Sequence, residues 1–274
     1  MRRIRPEPAR RHRTAGFTLI EMVVVMTITG LLVAIVAVFI QRPMENILDS
    51  TRRVAMADAA DGALRRMARE VRQALPNSLR VRQSGGAWFI EFLPVVHAGR
   101  YCEQGDCGAA PFADGASMSS LTVAGFAPPA WSQIPSGAEL AIYNLGASGT
   151  NAWNGDNTTV LTGITGSTLT FAAKVFPYAS PARRFQIIGR PVSFVCTPGG
   201  TLTRVSGYAR AAGQPVTFPA NANVAVLADN VAACSVDFQQ ATMDQTGLLA
   251  LTLTLARNGE RLTLSHAIQV SNTP

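Results

Sequence analysis

The hydrophobic and polar positions divide the chain into regions of different periodicity. The first region contains an uncharged, apolar run from Met22 to Gln41, and the segment from Phe17 to Ile40 has 24 residues. A helix rises about 1.5 Å per residue, so this segment would reach roughly 36 Å, enough to cross a bilayer core with some tilt. The pattern therefore predicts a membrane-spanning helix with one carboxylate, Glu21, at its head.

A second, amphipathic helix is predicted from Asn46 to Leu75. Six apolar residues recur there at spacings of three or four, which places them on one helix face: Met56, Ala60, Leu64, Met67, Val71 and Leu75. We expect this face to pack against the rest of the chain. Pro43 lacks a backbone N–H and is expected to kink or interrupt the helix between the two segments. Pro76 and Asn77 are expected to end it.

Beyond Leu75 the apolar residues alternate and turn residues are frequent, which is typical of antiparallel strands. The predicted strands are residues 79–82, 88–92, 121–126, 139–144, 159–161, 168–171, 184–188, 192–196, 201–208, 224–227, 234–238, 248–256 and 261–270. Ser84-Gly85-Gly86 and Asn258-Gly259 are hairpin signals. Residues 97–136 are otherwise expected to form a long loop. The predicted fold class is α+β: a long N-terminal helix, transmembrane in its first half, packed against an antiparallel β-sheet head.

The positive charge of the chain is concentrated at its beginning. The net charge is +7, but residues 1–16 contain six arginines and one glutamate, which leaves 18 basic and 16 acidic residues in the remainder. Positive residues that flank a membrane span stay in the cytoplasm, so the head is expected outside the inner membrane. We expect no nucleic-acid binding, because no basic stripe with interleaved aromatic residues is present.

The charge at the head of the apolar run carries the most specific signal. A carboxylate in a membrane helix costs about 2.5–3.5 kcal/mol on insertion scales and is therefore functional by default. The sequence Arg13-x-x-Gly16-Phe17-Thr18-Leu19-Ile20-Glu21 resembles the prepilin signal of the type IV pilins and the type II secretion pseudopilins. A secretory signal peptide has a shorter apolar region, of about 7–15 residues, and a small-residue cleavage site after it.

The resemblance implies processing and assembly. A prepilin peptidase would cut between Gly16 and Phe17 and methylate the new amino group of Phe17, and Glu21 would pair with the amino terminus of a neighbouring subunit. It also implies the pilin fold, with a cytoplasmic leader at 1–16, a transmembrane and polymerisation helix at 17–41, an amphipathic continuation at 42–76 and a β-rich head at 77–274. The partners implied are the peptidase, other minor and major pilins or pseudopilins, and inner-membrane lipid.

Three further segments resemble the minor pilins of mannose-sensitive haemagglutinin (MSHA) pili. They are Phe185-Gln-Ile-Ile-Gly-Arg-Pro-Val-Ser-Phe-Val-Cys196, the strand from Gly200 to Tyr208, and Leu248 to Pro274. This resemblance implies a structural role at the tip or initiation complex of a pilus, without enzymatic activity. Two alternatives are a J-type minor pseudopilin of a type II secretion system and a tip adhesin that binds through the loops of 97–160.

The remaining candidate chemistry is sparse. Four cysteines, Cys102, Cys107, Cys196 and Cys234, are disulfide candidates with three possible connectivities, and their spacing does not favour zinc. The polar residues Asn154, Asp156 and Asn157 form a weak calcium candidate, with an ordinary polar turn as the simpler explanation. His97 and His266 would be the histidines of the processed chain, and neither has a metal-binding spacing. We therefore expect no cofactor, no metal and no catalytic residue.

Overall fold

The computed structural model describes residues 16–102, 115–125, 130–239 and 246–274, without the side chains of residues 38, 40–49 and 131. Residues 1–15 of the expected leader, with His12, lie outside the described residues, and so does Cys107. The chain divides into two compact units, residues 1–52 and residues 53–274.

The first element is a single helix, α1 (Leu19–Arg72), of 54 residues. The helix continues across Pro43, so an interruption at that residue is wrong, and a kink there stays a prediction. A proline removes one hydrogen bond, and the long helical sequences on both sides sustain the remaining ones. The helix also ends earlier than predicted, at Arg72, and Leu75 lies in the turn that follows.

Within the second unit, the predicted apolar face of the helix is confirmed. Met56, Ala60, Leu64, Met67 and Val71 are all buried, and they share one core cluster with residues of the sheet. The face packs because the apolar positions recur at the helical period, so that burying them leaves the charged positions in solvent.

Thirteen strands follow the helix in the described residues. They are β1 (Arg80–Ser84), β2 (Ala87–Phe92), β3 (Val95–Tyr101), β4 (Ser117–Ala124), β5 (Glu139–Ala141), β6 (Thr158–Thr165), β7 (Thr168–Val175), β8 (Arg184–Ile188), β9 (Val192–Cys196), β10 (Gly200–Ser206), β11 (Asn223–Gln239), β12 (Gly247–Arg257) and β13 (Glu260–Val270). Seven of them form an antiparallel sheet in the order β1-β2-β9-β10-β11-β12-β13, and the part of α1 that belongs to the second unit packs on one face of this sheet.

Both predicted hairpins are confirmed. β1 and β2 are joined at Gly85 and Gly86, and β12 and β13 at Asn258 and Gly259, with positive φ at all four residues. Two consecutive residues of positive φ make the tight turn whose twist matches that of the flanking strands. Asn-Gly and Gly-Gly therefore have a backbone role at these two positions.

A second β-structure is inserted between β2 and β9. The strands β3 to β8 close into a barrel in the order β3-β4-β7-β6-β5-β8. The prediction that residues 97–136 form a loop with one strand is therefore wrong in part, because β3 lies in this region as well as β4. β3 was missed because its sequence, Val-Val-His-Ala-Gly-Arg-Tyr, lacks a clear alternation of apolar and polar residues, and its pairing with β8 decides its conformation.

The barrel interior is filled by side chains. Its core contains large apolar residues from most of its strands, including Tyr101, Leu121, Leu140, Leu161, Leu169 and Phe185. Among the described residues, the barrel therefore has a packed side-chain core.

The barrel is joined to the end of the helix by a small apolar cluster that includes Leu75, Leu93, Trp153 and Ile188. Backbone hydrogen bonds accompany the cluster: the Leu75 N–H donates to the Leu93 carbonyl at 2.7 Å, and the Val95 N–H donates to the Gln73 carbonyl at 2.9 Å. The segment that passes from the sheet into the barrel, between β2 and β3, therefore contacts the residues that follow α1.

A disulfide joins Cys196 of β9 to Cys234 of β11, the strands on either side of β10 in the sheet order. This is one of the pairings that the sequence left open. Cys102 is also disulfide-bonded. The Cys196–Cys234 bond closes a segment with a sequence separation of 38, and its Cα atoms are 6.5 Å apart.

We expect the Cys196→Ala, Cys234→Ala double variant to lose about 4 kcal/mol of unfolding free energy, because a loop of this length is no longer restricted in the unfolded chain. Denaturant unfolding of the full chain in detergent, followed by tryptophan fluorescence, measures the change. An unfolding midpoint equal to that of the native chain would contradict the prediction.

Candidate processing and assembly site

The residues of the prepilin-like signal lie at the beginning of α1. Gly16, Phe17 and Thr18 precede the helix, and the carbonyl of Thr18 accepts the N–H groups of Glu21 and Met22 at 3.1 and 3.2 Å. The Thr18 hydroxyl also accepts the Glu21 N–H, at 3.3 Å. Thr18 is therefore the N-cap of the helix, and Glu21 occupies the third helical position of a Thr-x-x-Glu capping sequence.

This geometry gives Glu21 a local role in addition to the proposed pairing. A carboxylate in the first turn is stabilised by the positive end of the helix dipole, and Glu21 is the acidic residue of that turn. A cleaved chain would carry its new amino group at Phe17, immediately before the cap. The described site combines a capped helix start with a carboxylate one turn in.

Gly16 has no structural reason to be glycine. A Cβ at this position would have no atom within 4 Å, and its φ lies outside the positive range that favours glycine. Phe17 is likewise 74% exposed. The fold therefore does not require the identity of Gly16 or bury the side chain of Phe17.

The apolar segment of the first unit is exposed in the described part of that unit. The segment Leu19–Ala37 has 19 residues and a mean hydropathy of 2.6, so its length and composition are sufficient to cross a membrane. Its leucine, isoleucine, valine and methionine side chains are largely exposed. An apolar surface of this extent indicates contact with lipid or with other apolar helices, which fits anchoring in the inner membrane.

The weak calcium candidate is part of a turn whose polar groups bond to one another. The Asn151 side chain accepts the Trp153 N–H at 3.0 Å, and the Asp156 carboxylate accepts the Asn151 N–H at 3.0 Å. Asn157 is buried and donates to the Ile142 carbonyl at 3.0 Å. Asn154 is the last residue of the short 3₁₀ helix Ala152–Asn154, which is part of the same turn.

The two histidines expected in the processed chain lie in different structures. His97 is in β3 of the barrel, where its ring centroid is 6.3 Å from that of Phe185 and burial lowers its pKa. His266 is in β13 and pairs with Leu251 across the ladder. Among the described residues, no group of three His, Cys, Asp or Glu side chains is arranged to bind a metal ion.

A buried polar network was not found from the sequence. Glu91 of β2 is fully buried, and its two carboxylate oxygens accept the Arg80 Nε–H at 2.7 Å and the Tyr208 hydroxyl at 2.8 Å. The hydroxyls of Tyr208 and Ser193 are 2.7 Å apart. Burial raises the pKa of Glu91 although Arg80 and Tyr208 both lower it, and burial also raises the pKa of Tyr208.

Arg80 extends this network to the barrel and to the segment between β10 and β11. Its guanidinium donates to the carbonyls of Ala211, Ala212 and Gly213 and lies 3.5 Å from the centre of the Trp153 ring. Arg210 continues the connection by an ion pair with Glu139 of β5 at 2.8 Å. The one sequence signal was Glu91 itself, a carboxylate inside the apolar strand Ala-Trp-Phe-Ile-Glu-Phe. The network therefore links β2 to β1, to β9 and to the segment that follows β10.

Residues 11–37 match the model of the prokaryotic N-terminal methylation motif. No curated protein and no solved structure matches the chain. The matched segment includes Gly16, Phe17 and Glu21, and it supports a type IV pilin or type II secretion pseudopilin, a class whose role is structural rather than catalytic. An apolar N-terminal helix followed by a large antiparallel β-structure is consistent with the α+β, pilin-like fold of that class.

Proposed function

We propose that the chain is a minor pilin that a prepilin peptidase processes between Gly16 and Phe17 and that enters the tip or initiation complex of a pilus. The methylation motif that spans Gly16 to Glu21 carries the proposal. The residues before the cut form the cytoplasmic leader, the head lies in the periplasm, and the chain acts without catalysis. Its partners are the peptidase, other pilins and inner-membrane lipid.

The size of the head supports a minor rather than a major subunit. The head combines a seven-stranded sheet with an inserted six-stranded barrel. A subunit repeated at every position of a fibre must pack its head against identical neighbours along the whole length, and an inserted barrel makes this packing harder. A tip or initiating position demands fewer such contacts. Among minor pilins, we propose the MshO-like type of MSHA pili, from the three resembling segments.

Mass spectrometry of protein isolated from its native membrane tests the processing. We expect the N-terminal peptide to begin at N-methyl-Phe17 and to begin at Met1 after loss of the prepilin peptidase. A Gly16→Leu variant should also retain the leader, because the fold itself tolerates a side chain at Gly16. A native chain that begins at Met1 would make the apolar segment a plain anchor and overturn the proposal.

The methylation motif is common to pili and to type II secretion systems, and deletion of the chain in its host distinguishes the two machines. We expect loss or shortening of surface fibres with secretion of exoproteins unchanged. Exoproteins that accumulate in the periplasm of a normally piliated strain would assign the chain to secretion as a J-type pseudopilin. Normal fibres that fail to attach to a surface would support the alternative that the chain is a tip adhesin.

A further inference from the structure

The two edge strands of the seven-stranded sheet, β1 and β13, differ in whether another segment covers their outer edge. At one end, the segment after β10 covers β1: Gln214 donates to the Arg80 carbonyl at 3.4 Å, and Arg82 donates to the Gln214 carbonyl at 3.2 Å. At the other end, β13 pairs with β12 and, in the part of the chain that the structure describes, with no second strand. No described strand therefore covers the outer backbone groups of β13.

β13 also lacks the features by which proteins normally protect an end strand. It has 11 residues and pairs with β12 without a bulge. After Arg261 it contains no proline, lysine, arginine, aspartate or glutamate up to Val270. A long, regular and uncharged end strand presents unpaired N–H and C=O groups that favour the addition of another strand.

A basic groove runs beside this edge. It has a volume of about 680 Å³ and is lined by one flank of α1 together with His266 of β13: the flank contributes Asp61, Arg65, Arg69 and Arg72 among others. Arg65 is paired with Asp61 at 2.6 Å, whereas Arg69 and Arg72 are exposed and have no ion-pair partner in the described ranges. The groove therefore carries an excess of positive charge.

Stabilisation of the helix end does not explain all of these residues. Basic residues in the last turn favour the helix dipole, which accounts for Arg69 and Arg72. Arg65 lies outside that turn, on the same flank, and pairs with Asp61 of its own helix. On the opposite flank, Arg66 and Arg204 both pair with Glu70, so each of these two arginines already has a carboxylate partner.

The arginines are spaced more closely than alternate residues of a strand. Along the helix axis, Arg65 and Arg69 are separated by about 6 Å and Arg69 and Arg72 by about 4.5 Å. Alternate residues of a strand, which point to the same face, are about 6.8 Å apart. A strand that pairs with β13 would place every second side chain on the sheet face that α1 covers, and the long, flexible arginine side chains can bridge the difference in spacing.

We propose that the edge of β13 and the groove beside it bind an extended, acidic segment of another protein. The segment adds to the sheet next to β13, and its alternate Asp or Glu side chains pair with Arg65, Arg69 and Arg72. A second copy of this chain is disfavoured as the occupant, because two β13 edges in antiparallel pairing would bring two rows of arginines together. The proposal is independent of cleavage at Gly16.

A peptide of alternating residues, Thr-Glu-Val-Glu-Val-Glu-Thr, is the probe. Its binding to the full chain in detergent micelles at low salt is measured by fluorescence anisotropy. We expect binding that weakens as salt is added, and that is about tenfold weaker or more in the Arg65→Ala, Arg69→Ala, Arg72→Ala variant. The Arg66→Ala variant, changed on the opposite flank of the same helix, should bind as the native chain does.

Two controls separate strand addition from attraction to any polyanion. A peptide of the same composition with its three glutamates consecutive should bind more weakly, because consecutive residues of a strand point to opposite faces. Hydrogen exchange should show new protection of alternate β13 amides when the alternating peptide binds. Equal binding of both peptides, a triple variant that binds like the native chain, or bound peptide without protection of β13 would each overturn the proposal.

Discussion

The Glu21→Gln variant is expected to be cleaved and methylated normally and to be lost from the fibre. Glutamine keeps the size of the side chain and suits the third position of a capped helix, so the Thr18 cap should persist. It removes the charge. In a low-dielectric bundle of apolar helices, a carboxylate paired with the amino terminus of a neighbour offsets the cost of burial, and an uncharged amide cannot make that pair.

The measurement compares the amount of chain in purified fibres with the amount in the membrane. We expect at least a tenfold fall in the fibre fraction for Glu21→Gln and for Glu21→Ala, with the leader removed in both. Glu21→Asp keeps the charge on a shorter side chain and should retain part of the incorporation. If Glu21→Gln enters fibres as the native chain does, Glu21 is a capping residue of the helix and the pairing of charges is wrong.

The Arg80→Ala variant is expected to give the largest loss of stability in the head. Glu91 is fully buried, and removal of Arg80 leaves its carboxylate without a compensating charge. Removing one partner of a buried ion pair lowers the free energy of unfolding by about 3–5 kcal/mol. The change also removes the contacts of the guanidinium with three backbone carbonyls and with the Trp153 ring, so the barrel loses a connection to the sheet.

The loss should depend on pH in a defined direction. Burial raises the pKa of Glu91 above its usual 4.5, and the loss of Arg80 raises this pKa further because the arginine opposes the shift. A carboxyl with a higher pKa in the folded state contributes its stability below the unfolded pKa, and this stability is lost as the pH rises through the folded pKa. Arg80→Ala should therefore be less destabilising near pH 5 than near pH 8.

Denaturant unfolding of the full chain in detergent at both pH values provides the measurement, with tryptophan fluorescence as the signal. Arg80→Lys is the matched control: it keeps the charge but lacks the fork that contacts several carbonyls, so it should lie between the native chain and Arg80→Ala. An Arg80→Ala variant equally destabilised at pH 5 and pH 8 would show that the charge of Glu91 is not the cause.

The sequence by itself determined the features that depend on neighbouring residues. The apolar run, the helical stripe from Met56 to Val71 and the Asn258-Gly259 hairpin all follow from local periodicity and local backbone preference. The signal from Gly16 to Glu21 is of the same kind, because it is a short linear motif of neighbouring residues. The α+β class follows because a segment with the helical period is followed by segments in which apolar and polar residues alternate.

The tertiary structure alone decided what depends on residues far apart in the chain. β3 is a strand because it pairs with β8, and the barrel closes between two strands that are themselves neighbours in the sheet. Glu91 is buried only because Arg80 and Tyr208, 11 and 117 residues away, converge on it. The exposed edge of β13 follows from its place at the end of the sheet. Periodicity records which face of an element is apolar, and it does not record which element lies against that face.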